Sequence, residues 1–89
     1  MPGVVKHFAS PSFWFHRRHL PPAIQELADR SFLMLKENPR HPSIRLKKVG
    51  ALWSARIGVG YRALGKDRRE GIVWFWFGTH ADYDALLDE

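Results

Sequence analysis

Between residues 38 and 43 the hydrophobic period of this chain changes, and that change limits what it can fold into. Before it, Ile24, Leu27, Ala28, Phe32 and Leu35 recur at the three-and-four spacing of a helix with one apolar face. After it, the pattern turns into short runs punctuated by glycine. In "WSARIGV", Trp53, Ala55, Ile57 and Val59 alternate with Ser54, Arg56 and Gly58, as strand residues do when only one face is covered. The joint, "NPRHPS", holds two prolines and an asparagine and reads as a turn-rich connection. Helices first and strands afterwards point to an α+β domain: two N-terminal helices on one face of a largely antiparallel sheet of four or five strands.

The remaining segments fit that frame. Val4, Val5, Phe8 and Ala9 read as a short first strand that joins the same sheet. Ser10-Pro11 is a helix start, a capping serine followed by proline at the first helical position, leading into residues 13–20. Pro21-Pro22 ends that helix and begins the longer one. "IRLKKVG" places Ile44, Leu46 and Val49 on an edge strand, and Gly58 and Gly60 mark a tight hairpin. "GKDRREG" makes a second hairpin, after which "IVWFWF" returns as the most apolar strand, expected at the centre of the sheet. Strict alternation puts Val73, Phe75 and Phe77 on one side of it and Ile72, Trp74 and Trp76 on the other. Residues 82–87 suit a last short helix.

At 89 residues there is room for one domain and one core. Cysteine is absent, which removes disulfides, thiolate nucleophiles and cysteine metal sites. The longest apolar run, residues 72–77, is far too short to span a bilayer, and the start lacks a signal-peptide pattern. A cytoplasmic protein is the expectation. The net charge of +5 is unevenly distributed. Residues 40–69 hold nine Lys or Arg against one acid, Asp67, a local charge of +8, whereas residues 70–89 hold five acids and no Lys or Arg. So one-sided a block favours an anionic partner over a merely solvated face.

If Trp53, Ala55 and Ile57 face the helices, Ser54 and Arg56 face away from them, and Arg62 in the next strand is a candidate for the same side. Guanidinium groups are seldom buried alone, so this second face is expected to hold a groove rather than more core. Trp74 or Trp76 beside Arg56 and Arg62 would supply a stacking surface suited to single-stranded nucleic acid, although aromatic runs in a strand more commonly fill a core. The loop "GTHADYD" follows. Thr79 or Asp82 can cap the last helix, and His80 and Tyr83 can each move a proton. His80, Asp82 and Asp84 alone are a weak metal set. His7, His16, His19 and His41 have no ligand spacing and read as surface residues. No phosphate-binding glycine loop, nucleophile elbow or glutamate pair is present.

Taken together, "LPPAIQELA", "NPRHPSIRLKKV", "WSARIGVGYRAL" and "WFWFGTHADYD" resemble the RelE/ParE superfamily of toxins from bacterial type II toxin–antitoxin systems. The resemblance spans nearly all of residues 1–89 and implies a single toxin domain. In the RelE-like branch it implies cleavage of mRNA on the ribosome without metal or other cofactor, by attack of the RNA's own 2′-hydroxyl on the adjacent phosphate. It implies that Arg56 and Arg62 hold the scissile phosphate and that His80 and Tyr83 handle protons. It also implies that Lys47 and Lys48 hold RNA or ribosome backbone; Arg45 beside them, and Trp74 as a stacking wall, are the further RNA-binding candidates. Ser54 stands where some RelE-like enzymes carry another lysine, and Tyr83 lies closer to the strand than their tyrosine does. The implied partners are mRNA, the ribosome and a cognate antitoxin, whose contacting stretch the +8 block suggests is acidic. ParE-like relatives share the fold but inhibit DNA gyrase, and an inactive antitoxin-binding member is a further alternative. The pair His80 and Tyr83 favours the nuclease, because a gyrase binder needs no proton-moving groups.

Overall fold

The computed structural model describes residues 6–38 and 44–87. In chain order the elements are β1 (Lys6–Ala9), α1 (Pro11–Arg18), α2 (Pro22–Glu37), β2 (Lys47–Val49), β3 (Leu52–Ile57), β4 (Tyr61–Arg68), β5 (Gly71–Thr79) and α3 (His80–Leu87). The strands form one sheet in the order β1-β5-β4-β3-β2, with β1 parallel to β5 and the other neighbours antiparallel. This is the expected α+β arrangement with five strands. The apolar strand β5 is interior, but β4 takes the middle place because β1 pairs along the outer side of β5. Val4, Val5, Pro39, Arg40 and His41 lie outside the described residues.

Ser10 opens α1 as its sequence suggests: its side-chain oxygen accepts the Phe13 N–H at 3.3 Å, a cap worth about 1 kcal/mol. Two further bonds fix where the helix runs. The Ser10 N–H donates to the Trp74 carbonyl at 2.9 Å and the Ser12 hydroxyl to the Phe75 carbonyl at 2.8 Å. Thus α1 continues along the edge of β5 where β1 stops, which satisfies edge carbonyls that would otherwise face solvent. The helix also brings Phe13 into the core, stacked on Phe77 at 5.7 Å between ring centroids.

The core lies between the helices and one sheet face, where Phe13, Ala28 and Leu35 meet Ile44, Ala55, Ile57, Ala63, Ile72, Trp74 and Phe77. The simple alternation expected for residues 72–77 does not hold. Leu64 pairs with Trp76 while Gly65 pairs with Trp74, so Phe75 is an extra residue, a bulge. The bulge shifts the phase of the strand: Ile72, Trp74 and Phe77 face the core, and Trp76 faces away. Gly65 makes the space, since a Cβ there would lie 2.7 Å from Ile72 and 3.0 Å from the Trp74 ring.

The reading of His7 as a surface residue also fails. His7 is 5% exposed and faces the core, while its neighbour Phe8 is 42% exposed on the other face. The Trp74 indole N–H donates to His7 Nδ1 at 3.1 Å, which places the neutral ring's proton on Nε2, a buried atom with no hydrogen-bond partner among the described residues. Burial, and secondarily the Lys36 charge, hold the His7 pKa below its ordinary value.

Candidate functional site

The register places functional groups on the sheet face turned away from α1 and α2. Ser54 pairs with Leu64, and Arg56 stands directly opposite Arg62, which in turn pairs with Gly78. Both arginines are half-buried. Arg56 Nε donates to the Gly58 carbonyl at 3.1 Å and Arg62 Nη1 to the Tyr61 carbonyl at 2.8 Å. Among the described residues neither forms an ion pair. Like charges directly opposite each other on a sheet are unfavourable, and an anion held by both offsets that cost.

The helix α3 follows β5 directly, with no residue between Thr79 and His80, and comes over this face at Ser54. The Thr79 hydroxyl accepts the Asp82 N–H at 3.1 Å and caps the helix, and the His80 N–H donates to the Gly60 carbonyl at 2.9 Å. Gly60 belongs to the hairpin that Arg56 and Arg62 flank, so His80 is tied to the arginine end of the face. Its imidazole is exposed, with Nδ1 3.6 Å from an Asp84 oxygen one turn along. Tyr83 is placed differently from what the sequence suggests. It is 7% exposed, and its hydroxyl lies 2.8 Å from Ser54 Oγ in a buried hydrogen bond that either group can donate. The structure therefore brings Arg56, Arg62 and His80 to one end of an open face but directs the Tyr83 hydroxyl beneath α3.

No family profile matches the chain, and no curated protein matches it by sequence. Solved structures do. A RelE–RelB complex from the archaeon Pyrococcus horikoshii OT3 contains a chain that superposes with a TM-score of 0.62 at 16% identity, covering 86% of this chain and 96% of that one. A RelB–RelE antitoxin–toxin complex from Methanococcus jannaschii gives a TM-score of 0.61 at 17% identity, covering 88% and 96%. The chain has the RelE toxin fold.

On this RelE-like scaffold the other RNA-holding candidates are separated. Lys47 pairs with Ser54 and lies on the arginine face, whereas Lys48 pairs with Trp53 and lies on the helix side. Lys48 Nζ binds an Asp67 carboxylate oxygen at 2.6 Å and sits 5.1 Å from the Trp53 ring centroid, while the Trp53 indole N–H donates to the other Asp67 oxygen at 2.7 Å. These bonds, that to Lys48 first, hold the Asp67 carboxyl below the usual range. Arg45 is exposed, with a left-handed φ of 49°. Trp74 is no RNA wall: at 1% exposure it is core, bonded to His7.

Trp76 takes the outward position instead. Its ring lies across Gly78, where a Cβ would meet it at 2.6 Å, so glycine leaves the indole room to lie flat. It contributes to a groove of about 680 Å³ between α1 and α3, lined also by His16, His19, Asp82 and Leu86. Gly78, two residues beyond Trp76, is the one local signal for this arrangement.

Proposed function

We propose that this RelE-fold chain is the toxin of a type II toxin–antitoxin pair and cuts mRNA on the ribosome as an endoribonuclease that needs no metal. The carrying observation is the pair of arginines, directly opposite each other and without ion-pair partners among the described residues, at the end of the face to which His80 is tied. Arg56 and Arg62 hold the non-bridging oxygens of the scissile phosphate, and Arg62 offsets the charge that develops on them. The 2′-hydroxyl gives up its proton and its oxygen attacks phosphorus. The bond from phosphorus to the 5′ oxygen breaks, and that oxygen leaves with a proton. The products are a 2′,3′-cyclic phosphate and a 5′-hydroxyl.

His80 is the exposed proton carrier of this reading, with Asp84 orienting its ring. Tyr83 serves by holding α3 on Ser54. Losing one charge-stabilising donor costs on the order of 10²- to 10³-fold in rate, and losing a general acid or base about 10²- to 10⁴-fold. Arg62→Ala and His80→Ala are therefore expected to abolish growth arrest on expression while melting like the unaltered chain. Full toxicity of both variants contradicts the assignment.

A second reading rests on the groove between α1 and α3 and on the exposed Trp14 and Phe15 of α1. A ParE-like inhibitor that blocks DNA gyrase would use helices and the C-terminal segment in this way, without catalysis. It predicts a DNA-damage response with intact mRNA. Under either reading a neutralising antitoxin contacts residues 40–69 through an acidic stretch.

A further inference from the structure

The hairpin between β3 and β4 turns through Gly58, Val59 and Gly60. Gly58 is explained by its backbone: its φ of 65° is left-handed, and a Cβ there would lie 2.6 Å from the Leu27 side chain of α2. Val59 has no such local reason. Hairpin tips favour glycine, asparagine, aspartate and serine, whereas a β-branched residue suits the strands on either side. The alternation that turns Ala55 and Ile57 to the helices would bury Val59 as well, but β3 ends at Ile57. Val59 is 83% exposed against 6% for Ile57, the most exposed large apolar side chain among the described residues. A residue that breaks the local rule at a candidate site calls for a functional account.

The tip is braced on both flanks. Arg56 Nε donates to the carbonyl of Gly58, the residue before Val59, at 3.1 Å, and the His80 N–H donates to the carbonyl of Gly60, the residue after it, at 2.9 Å. Gly58 is seated on Leu27. These contacts fix an exposed apolar side chain relative to Arg56 and His80, the phosphate-holding and proton-moving groups of the proposed reaction.

That reaction has a geometric requirement. Attack by the 2′-hydroxyl needs its oxygen, the phosphorus and the departing 5′ oxygen near one line, and stacked helical RNA holds the 2′ oxygen to one side of it. The nucleotides that share the scissile phosphate must therefore unstack. Apolar side chains that insert between base steps hold such a gap open in proteins that kink nucleic acid. Arg56, Arg62 and His80 are committed to the phosphate and the protons, and Trp76 lies flat across Gly78, which leaves Val59.

We propose that Val59 is a positioning residue, an apolar wedge that enters between the nucleotides flanking the scissile phosphate and holds them apart for in-line attack. The inference rests on the nuclease reading and deepens it.

Val59→Ser and Val59→Ile are compared with the unaltered chain on ribosomes carrying a reporter mRNA, at a codon the unaltered chain cuts. The side chain is exposed, and thermal melting checks that both variants fold. Single-turnover cleavage over a range of protein concentrations gives the saturated rate and the half-saturating concentration separately. In parallel, an mRNA without the attacking 2′-hydroxyl carries beside that position a fluorescent adenine analogue that brightens on unstacking. Serine is expected to lower the saturated rate about tenfold or more and to lose the brightening at unchanged half-saturation, while isoleucine keeps both. A serine variant that cuts at full rate overturns the wedge and leaves the nuclease reading standing. So does a lowered rate with the brightening intact, or a serine variant altered in half-saturation alone, which would make the tip a docking contact. If the unaltered chain cuts no mRNA, the nuclease reading falls and the wedge falls with it.

Discussion

The Ser54 hydroxyl and the Tyr83 hydroxyl meet 2.8 Å apart beneath α3, at 2% and 7% exposure, and tie the last helix to β3 across 29 residues of chain. Removing one partner strands the other. Tyr83→Phe is expected to cost about 1–3 kcal/mol because a buried serine hydroxyl loses its bond, while adding Ser54→Ala recovers most of that loss. Urea denaturation of the four chains in this cycle measures the coupling. RNA cleavage is expected to survive Tyr83→Phe, and its abolition at unchanged stability would show that the phenol itself handles protons.

Because Arg56 and Arg62 oppose each other, an anion bound between them should stabilise the fold. Inorganic phosphate at constant ionic strength is expected to raise the melting temperature of the unaltered chain. Arg56→Ala and Arg62→Ala should each lose that increment, while keeping or slightly gaining stability in the absence of phosphate, by up to about 1 kcal/mol. An equal phosphate response in both variants would place the anion elsewhere.

The two tryptophans of β5 should separate cleanly in a stability experiment. Trp74→Ala removes a 1%-exposed ring and is expected to cost about 3–5 kcal/mol, a large share of the stability of so small a domain. Trp76→Ala removes a half-buried ring from a groove and should cost clearly less. Denaturant midpoints compare them, and equal losses would contradict the phase shift at Phe75.

A pH effect follows from His7. Its folded pKa is lowered, so below about 6.5 the unfolded chain takes up a proton that the folded chain resists. The stability linked to this residue is complete above that pH and falls as pH drops towards the folded value. Protonation would also set a second N–H against the Trp74 indole donor at Nδ1. Denaturation midpoints at roughly pH 7.5 and roughly pH 5.0, above and below the free histidine value of about 6.5, should differ more for the unaltered chain than for His7→Gln. Equal differences would remove His7 from the acid response.

What could be read before folding was local. The helical spacing of Ile24, Leu27, Ala28, Phe32 and Leu35, the Ser10-Pro11 start and the alternation of residues 53–57 each depend on near neighbours, and each matches an observed element. The opposed arginines were also within reach, because a short hairpin sets their register. Features that depend on distant partners were not legible. The bulge at Phe75 exists only in the pairing with β4, and His7 is buried because an indole 67 residues away accepts its company. The separation of Lys47 from Lys48 follows from strand alternation, and a stricter use of that rule would have found it.

The most direct test of the central claim is primer extension on a reporter mRNA after brief induction of the chain in growing bacteria, beside a His80→Ala variant. The account predicts cuts inside translated codons that vanish in the variant. Arrested growth with intact mRNA would contradict it and move the target to gyrase or another partner that is bound without being cut.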